Sequence, residues 1–479
     1  MHRVNTKNNR VVALRVIAYS VTILLSIVTT VLLLLIALGY RFSSKGDVIH
    51  SGLLLVDNKP EAAQIYINGE LKDAKSPGRF VLPIGAYELS LELNGYRGWK
   101  KNYDIKSEVV ERVDYPLLIP KKLEATPKLS INLPQMISQS PNNKLLVYYV
   151  SGENVIKIVD LSPTDPKQTQ IALPDAFSRQ AGSAGLLSLI EWSQDSKKML
   201  ITQTLPSGTV KIVSFDINKP EDSVNITDRF SQLSPSDLHY QGSKTDFVYG
   251  LNQGILRRYN ITNGETTFVL DGVLSYQPFA DKTVAYTRLS TTTNKVEAGV
   301  LSSDTKAVLE RFDDITVRPV VAYSEFDQRS YFVVVDGNDK ARVYRDPLNK
   351  PILKKQIPYV TLNVDSADFL KFSPNNQYLV IRSGAKFASF DFENVRRSNF
   401  DFKKEILPST LHWMNDSHLA YQGAGGQNYL IEFDGQNKAG IIASNSGTGI
   451  FYSSDSRSAF RVNSQGASNS LDVISLTVK

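Results

Sequence analysis

The longest apolar run in the chain is Val16 to Leu38, VIAYSVTILLSIVTTVLLLLIAL, with no charged side chain inside it. About 20 apolar residues are enough to cross a bilayer as a helix, because each rises ~1.5 Å and every backbone polar group is satisfied within the segment. The pattern predicts a transmembrane helix over 16–39, preceded by a tail, 1–15. Beyond it the hydrophobic period changes. Tyr87, Leu89, Leu91 and Leu93 alternate with Glu88, Ser90 and Glu92, so one face is buried and the other is wet, as in a half-buried strand. Leu53 to Val56, Gln64 to Ile67, Trp99 to Ile105 and Val109 to Leu118 are further strand-like runs. Asn68-Gly69 and Asn94-Gly95 mark tight turns, since both residue types tolerate positive φ. This density of short strands predicts a small antiparallel β-sandwich over 51–122, held off the membrane by a juxtamembrane stalk, 40–50. Pro116, Pro120, Pro127 and Pro134 then suggest a short, stiff linker.

From about Thr126 onward the pattern repeats. An apolar strand ends in an aromatic, a polar turn follows, and a second apolar strand begins. Trp192-Ser-Gln-Asp195, Phe372-Ser-Pro-Asn375, Trp413-Met-Asn-Asp416 and Tyr452-Ser-Ser-Asp455 are the clearest copies. Weaker ones begin at Tyr240, Tyr276 and Tyr323, and Gln139-Ser-Pro-Asn142 is a first copy without the aromatic. The intervals scatter around roughly 45 residues, the period of four-stranded propeller blades. Third strands ending near an acid are predicted at Val155 to Asp160, Val210 to Asp216 and Phe387 to Asp391. The chain is therefore expected to be mainly β, with a β-propeller over 123–479 of eight blades, or seven if one weak copy is an insertion. The last run, Leu471 to Val478, leaves no residues for a fourth strand. Leu129 to Leu133 is expected to supply it and so to remove an open sheet edge. The aromatics are expected to fill space between blades, the alternative being exposed sugar platforms, and the Ser and Asn/Asp after them to cap the turns.

Two family resemblances rest on these residues. Gly52 to Val56, Pro60-Glu61-Ala62-Ala63, Ile65 to Gly69, Ser76-Pro77, Pro83 to Tyr87 and Asn94-Gly95-Tyr96 resemble the PEGA domain, a small β-sandwich of bacterial and archaeal surface proteins. Ala62 stands where that motif has its glycine. The resemblance implies an accessory or binding module near the envelope and transfers no catalytic residue. The repeats resemble the Tol-type propeller signature, aromatic-Ser-Pro-Asp-Gly. Phe372 to Asn376 and Gln139 to Asn143 are its nearest versions here. This second resemblance implies fold more than function.

Charge sets the expected direction of insertion. Arg3, Lys7, Arg10 and Arg15 precede the apolar run with no acid among them, whereas Asp47 follows Arg41 and Lys45 closely. The Lys/Arg bias keeps the N-terminus in the cytoplasm and sends the bulk of the chain outside, as a signal-anchor at the cell surface. Ala37-Leu38-Gly39 has the small residues of a cleavage site, but the run is longer than the ~7–15 residues of a signal-peptide core, so a retained anchor is expected. Ala18, Thr22, Ser26 and Thr30 share one helix face, fit either for close approach of a second helix or for bonding back to the helix's own carbonyls. The second reading is favoured.

The formal charge is +6, of which the tail supplies four. Arg97, Lys100 and Lys101 form a short basic run read as a solvated strand, so no nucleic-acid partner is expected. With no cysteine in the chain, disulfides and thiolate metal sites are excluded.

The search for chemistry assigns no catalytic, cofactor-binding or metal residue. The histidines, His2, His50, His239, His412 and His418, show no ligand spacing. His412 and His418 are expected across one turn. Ser193 with Lys197 and Ser303 with Lys306 lack the surroundings of a Ser/Lys nucleophile. Gly423 to Gly426 reads as a hairpin loop, and Asp336 to Asp339 as a turn without calcium-loop spacing. Asn225-Ile-Thr227 and Asn260-Ile-Thr262 match a glycosylation acceptor. The expected protein is thus a non-enzymatic, membrane-anchored binding or scaffold protein. Its partners are the membrane, through Val16 to Leu38, and an envelope protein or polysaccharide. The alternative is a surface-anchored polysaccharide lyase or hydrolase with its site in the propeller channel.

Overall fold

A computed structural model describes residues 6–37, 40–42, 48–107, 109–162, 165–180, 182–303, 305–337, 340–349, 356–402, 406–445, 447–465 and 468–478. The chain divides into two units, Met1–Lys121 and Lys122–Lys479.

The first unit opens with helix α1, Thr6–Ala37, which starts earlier than the apolar run. Its stretch Val12–Leu35 has a mean hydropathy of 2.3 and none of it is buried in the protein. Leu38 and Gly39, the predicted end of the span, lie outside the described residues. Thr22 Oγ1 donates to the Ala18 carbonyl at 2.9 Å, the back-bonding expected of that row.

Two four-stranded sheets follow. In one, Val48–Val56 pairs antiparallel with Tyr40–Phe42 and Gly78–Pro83, and parallel with Val110–Val113. The other runs Glu70–Lys75, Gln64–Ile67, Gly85–Glu92, Trp99–Ile105 and is antiparallel throughout. One parallel pair therefore departs from the all-antiparallel expectation, and part of the predicted stalk is strand. Leu54, Val56 and Val113 from one sheet meet Ile65, Ile67, Leu89, Leu91, Trp99 and Tyr103 from the other in one core. Leu89 and Leu91 are fully buried while Tyr87 and Leu93 pack at the margin, so the period-two pattern does select the inner face.

Two expectations are corrected here. Lys101 is not solvated: it faces inward on Trp99–Ile105, and its Nζ donates to Tyr115 Oη at 2.8 Å and lies 4.8 Å from that ring's centroid. A lysine stem buries readily when its ammonium finds an acceptor. The proline-rich stretch is also no free linker. Leu118 and Ile119 are buried in the first unit, Leu117 bridges to Lys59, and Pro127 lies inside a strand of the second unit.

In the second unit, eight four-stranded antiparallel sheets succeed one another among the described residues. We number them 1 to 8 by their first strands: Met136–Gln139, Leu186–Trp192, Ser236–Gln241, Val273–Phe279, Val320–Phe326, Phe369–Phe372, Leu407–Trp413 and Phe451–Tyr452. Sheets 1 to 7 use four consecutive strands each. Sheet 8 has three, and Ala125–Ile131 supplies the fourth beside Ser468–Ser475, with Leu129 opposite Leu471. The expected closure is thus present, begun four residues earlier than predicted and ended before Leu133. Buried apolar clusters join each neighbouring pair from sheets 1 and 2 to sheets 6 and 7, and another joins sheet 8 to sheet 1. Between sheets 7 and 8 the fully buried Gln422 donates to Ser444 Oγ at 2.8 Å and to the Asn445 carbonyl at 2.9 Å. This is a β-propeller, and the first strands, which touch between sheets 1 and 2, 3 and 4, 4 and 5, and 5 and 6, line its axis.

Candidate functional site

The repeated turn explains how the axis is built. Ser140, Ser193, Ser373 and Ser453 each accept a backbone N–H five residues on, at 2.8–3.0 Å. Each also donates to the Asn or Asp two residues on, at 2.6–2.7 Å. The residue after that, Asn143, Ser196, Asn376 or Ser456, adopts a φ near +60°. The signature therefore fixes the turn, and the aromatic before it is set against a neighbouring sheet. Trp192 Nε1 donates to Ser138 Oγ of sheet 1 at 2.9 Å, and Tyr452 is fully buried. Where Gln139 replaces the aromatic, its side chain instead bonds both the carbonyl and the N–H of Tyr452, sewing sheet 1 to sheet 8. The aromatics are spacers, as expected, and Phe372 and Trp413 have a second role in a cavity wall.

One position earlier in the repeat stand Ser138, Glu191, His239, Lys371 and His412, while the same position holds Ser275 in sheet 4 and the core residues Ala322 and Phe451 in sheets 5 and 8. Glu191 of sheet 2 reaches sheet 3: His239 Nδ1 donates to its Oε2 at 2.8 Å, and the Tyr240 N–H donates to its Oε1. His239 Nε2 lies 3.4 Å from Asp237 Oδ1. The Tyr276 ring of sheet 4 stands edge-on to the imidazole, with 5.4 Å between centroids, and its hydroxyl donates to the Asp237 carbonyl. Burial pulls the imidazole pKa down, but the bonds and charges of Asp237 and Glu191 outweigh it and hold it up at about 9. His239 is therefore an imidazolium at neutral pH, clamped between two carboxylates.

Lys371, on sheet 6, is an exposed residue whose ammonium is nonetheless partly desolvated, which lowers its pKa, opposed by the Glu191 carboxylate of sheet 2. His412, on sheet 7, is held below the usual range, first by burial and further by the Lys371 charge, against the Thr410 carbonyl, which raises it. Its Nδ1 donates to that carbonyl at 2.8 Å.

A cavity of about 520 Å³ opens among sheets 1, 6, 7 and 8. Ser138, Asn143, Phe372, His412, Trp413 and Thr448 are among its lining. Its wall is hydroxyls, prolines, aromatics and one neutral imidazole.

The other sequence candidates fall into structural roles. His50 Nδ1 bonds Ser107 Oγ at 3.1 Å. His418 is buried, with Nδ1 3.1 Å from Ser417 Oγ, while His412 joins the channel, so the two do not act together. His2 lies outside the described residues. Ser193 caps its turn and Lys197 pairs with Asp195 at 3.4 Å. Ser303 has a φ of 50° in its turn, and Lys306 lies 5.9 Å from the Tyr286 ring centroid. Gly423 to Gly426 is a hairpin loop closed by the Gly423 N–H on the Gln427 carbonyl at 2.8 Å. Asp336 pairs with Arg342 at 2.7 Å, and Asn338 and Asp339 lie outside the described residues. Asn225 caps the short helix Ile226–Arg229, and Asn260 accepts the Thr262 N–H at 3.0 Å. Among the described residues no group of three His, Asp or Glu is arranged to hold a metal ion.

Sequence reasoning missed Glu191 and Lys371, and left His239 without partners. The signal was available: each immediately precedes the aromatic of a repeat, and equal positions in a propeller stand at equal depth along the axis.

The PEGA domain family matches residues 51–119. Among solved structures, the C-terminal WD40 domain of Sif2 is 10% identical, covering 74% of this chain and 99% of its own, with a TM-score of 0.47. A eukaryotic initiation factor is 15% identical over 75% and 91%, TM-score 0.43, and an oligogalacturonate lyase in complex with manganese is 10% identical over 74% and 98%, TM-score 0.38. A search of curated proteins finds no match. Residues 51–119 are a PEGA domain, followed by a β-propeller that its own sheet topology identifies.

Proposed function

We propose that this is a single-pass membrane protein whose extracytoplasmic PEGA domain and propeller bind an envelope polysaccharide or another surface protein without chemical turnover. The observation that carries the reading is the channel-end cavity. Its wall of hydroxyls, aromatics and prolines offers surface and hydrogen bonds, with no paired carboxylates to move protons. The apolar stretch Val12–Leu35 supports the anchor, and the Lys/Arg bias of the flanks supports the outward direction.

Two experiments test this. Protease added to intact cells is expected to digest the propeller, and its protection would refute the outward orientation. The full chain, solubilised in detergent and immobilised, is expected to retain one envelope component and release it unchanged.

The Glu191–His239–Asp237 cluster favours a second reading, a lyase or hydrolase. Under it, a captured polysaccharide would be shortened by the wild-type chain and left intact by His239→Gln. Release of the bound component at full length removes that reading.

A further inference from the structure

We propose that the outer face of the PEGA sheet built on Val48–Val56 is a membrane-docking surface, which lies against the anionic phospholipid headgroups of the leaflet from which α1 emerges. This goes beyond ligand binding by the propeller, and rests on the reading of α1 as a retained anchor.

Leu54 and Val56 of that strand point into the core, so Leu53 and Leu55 face outward. The same alternation holds in its neighbours. Arg79 and Val81 are outward residues of Gly78–Pro83, and Val110 and Arg112 those of Val110–Val113. The pairing register aligns them. Val81, Leu53 and Val110 form one row across three strands, and Arg79, Leu55 and Arg112 form the next. Val81 is 46% exposed and Val110 47%. The wet face of a half-buried sheet is ordinarily polar. Here every strand gives an aliphatic residue to the same row, a stripe about 10 Å wide at ~4.8 Å between strands. Both arginines are exposed, and among the described residues neither has an ion-pair partner. An unpaired guanidinium presents a planar fork of donors that suits a phosphate group. The acids come last: Asp57 is two positions beyond Leu55, and Asp114 two beyond Arg112.

The path of the chain says what covers this face. Helix α1 ends at Ala37, and Tyr40 is three residues on, at most about 10 Å away. Tyr40 pairs with His50, and Leu53 is three residues further along the same strand, about 10 Å at ~3.3 Å per residue. The apolar row is therefore held within about 25 Å of the end of the anchor. Ile84, 53% exposed, adds to it at the near end, where its N–H donates to the His50 carbonyl at 3.1 Å. Distance from the anchor thus orders the face as apolar, then basic, then acidic. A leaflet carrying anionic phospholipid asks for that order: aliphatic groups at the edge of the hydrocarbon, cations among the phosphates, and carboxylates held away.

The chain has no cysteine, so one introduced cysteine carries one probe. The full chain is placed in lipid nanodiscs of phosphatidylcholine with and without phosphatidylglycerol. A nitroxide on Val81→Cys is read by electron paramagnetic resonance for collision with oxygen, which concentrates in lipid, and with a water-soluble nickel chelate. Leu71→Cys, 52% exposed on the edge strand Glu70–Lys75 of the other sheet, is the control in water. Leu25→Cys, within α1, reports on the anchor. With phosphatidylglycerol present, the oxygen-to-nickel ratio is expected to be severalfold higher on Val81→Cys than on Leu71→Cys. It is expected to fall toward the Leu71→Cys value when phosphatidylglycerol is left out, or when Arg79→Gln and Arg112→Gln are added. Ile84→Cys serves in place of Val81→Cys if that variant does not fold. Equal ratios on Val81→Cys and Leu71→Cys overturn the proposal. So does a Val81→Cys label shielded from both reagents, with spin–spin broadening where a second copy covers the face and without it where the propeller does. A high ratio indifferent to phosphatidylglycerol and to both arginines overturns the assignment to anionic lipid. In each of these cases a lipid-exposed label on Leu25→Cys leaves the anchor reading intact, whereas a water-exposed one removes both.

Discussion

The clamp on His239 makes the propeller's stability depend on pH in a way that one substitution should remove. The imidazole pKa is raised from 6.5 to about 9 in the folded chain. Below about 6.5 the folded and unfolded chains both carry the proton, and the clamp contributes in full. Between about 6.5 and 9 the unfolded chain has released its proton while the folded one keeps it, so stability falls as pH rises. Above about 9 the contribution is gone. A shift of this size corresponds to at most about 3.5 kcal/mol between the two protonation states. Water reaches the ring and its main partner, whose side chains are 30% and 27% exposed, so screening leaves about 2 kcal/mol.

In a unit as large as Lys122–Lys479, that is a fall of about 2–4 °C in melting midpoint from pH 6.5 to 9. Tyr240 and Tyr276 also stand beside the imidazole, and Lys371 acts on its partner Glu191. Burial raises both tyrosines and keeps their phenols un-ionised over this range. The assay is the midpoint against pH for the wild type, Glu191→Gln and His239→Gln in one detergent. Both variants are expected to start lower at pH 6.5 and to lose most of the slope, so that the three curves converge near pH 9. Parallel curves, or a wild-type midpoint that rises with pH, would refute the clamp.

Two further predictions concern the scaffold. Ala62 has a φ of 70° where the PEGA motif has glycine. An L-residue pays ~1–2 kcal/mol in that region, and the unfolded-chain entropy of glycine returns part of the gain. Ala62→Gly is therefore expected to raise the stability of the PEGA unit by about 0.5–1 kcal/mol, read as the free energy of hydrogen exchange at the buried strand Gly85–Glu92; a loss of protection there would contradict it. Asp472, 1% exposed, receives Arg461 Nε at 3.0 Å and Nη2 at 2.9 Å, beside the strand that closes the ring. Asp472→Ala strands a buried guanidinium and is expected to cost about 3 kcal/mol in urea unfolding, whereas a change under about 1 kcal/mol would mean that the Ala443 carbonyl alone satisfies the arginine.

What the sequence disclosed was whatever follows a period. The alternation at Tyr87 to Leu93 gave an inner face, the Ser and Asn/Asp after each aromatic gave a turn, and the missing last strand gave the closure by Ala125–Ile131. What stayed hidden depended on contacts between repeats far apart in the chain. Glu191 and His239 are 48 residues apart, and Lys371 answers to both sheet 2 and sheet 7. No local pattern announces such a meeting. Lys101 was misread for a related reason: composition places lysine in water, but the inward register of Trp99–Ile105 and the Tyr115 hydroxyl override it. The prolines from Pro116 to Pro134 were misread because proline marks extended backbone without saying whether a neighbouring strand claims it.

The repeat itself separates two duties. The serine, its acid or amide partner and the residue at positive φ are needed for the turn whatever the channel contains, and the aromatic is needed to space the sheets. The residue just before the aromatic has a fixed place on the first strand; as Ala322 or Phe451 it packs in the core between sheets, and elsewhere it is polar. In this chain that position holds serine, glutamate, histidine, lysine and histidine in sheets 1, 2, 3, 6 and 7. Opposite charges at this level stand in sheets 2 and 6, four positions apart among eight sheets. The geometry of a ring converts a one-residue offset in a repeat into charges that act on one another between sheets far apart in the chain.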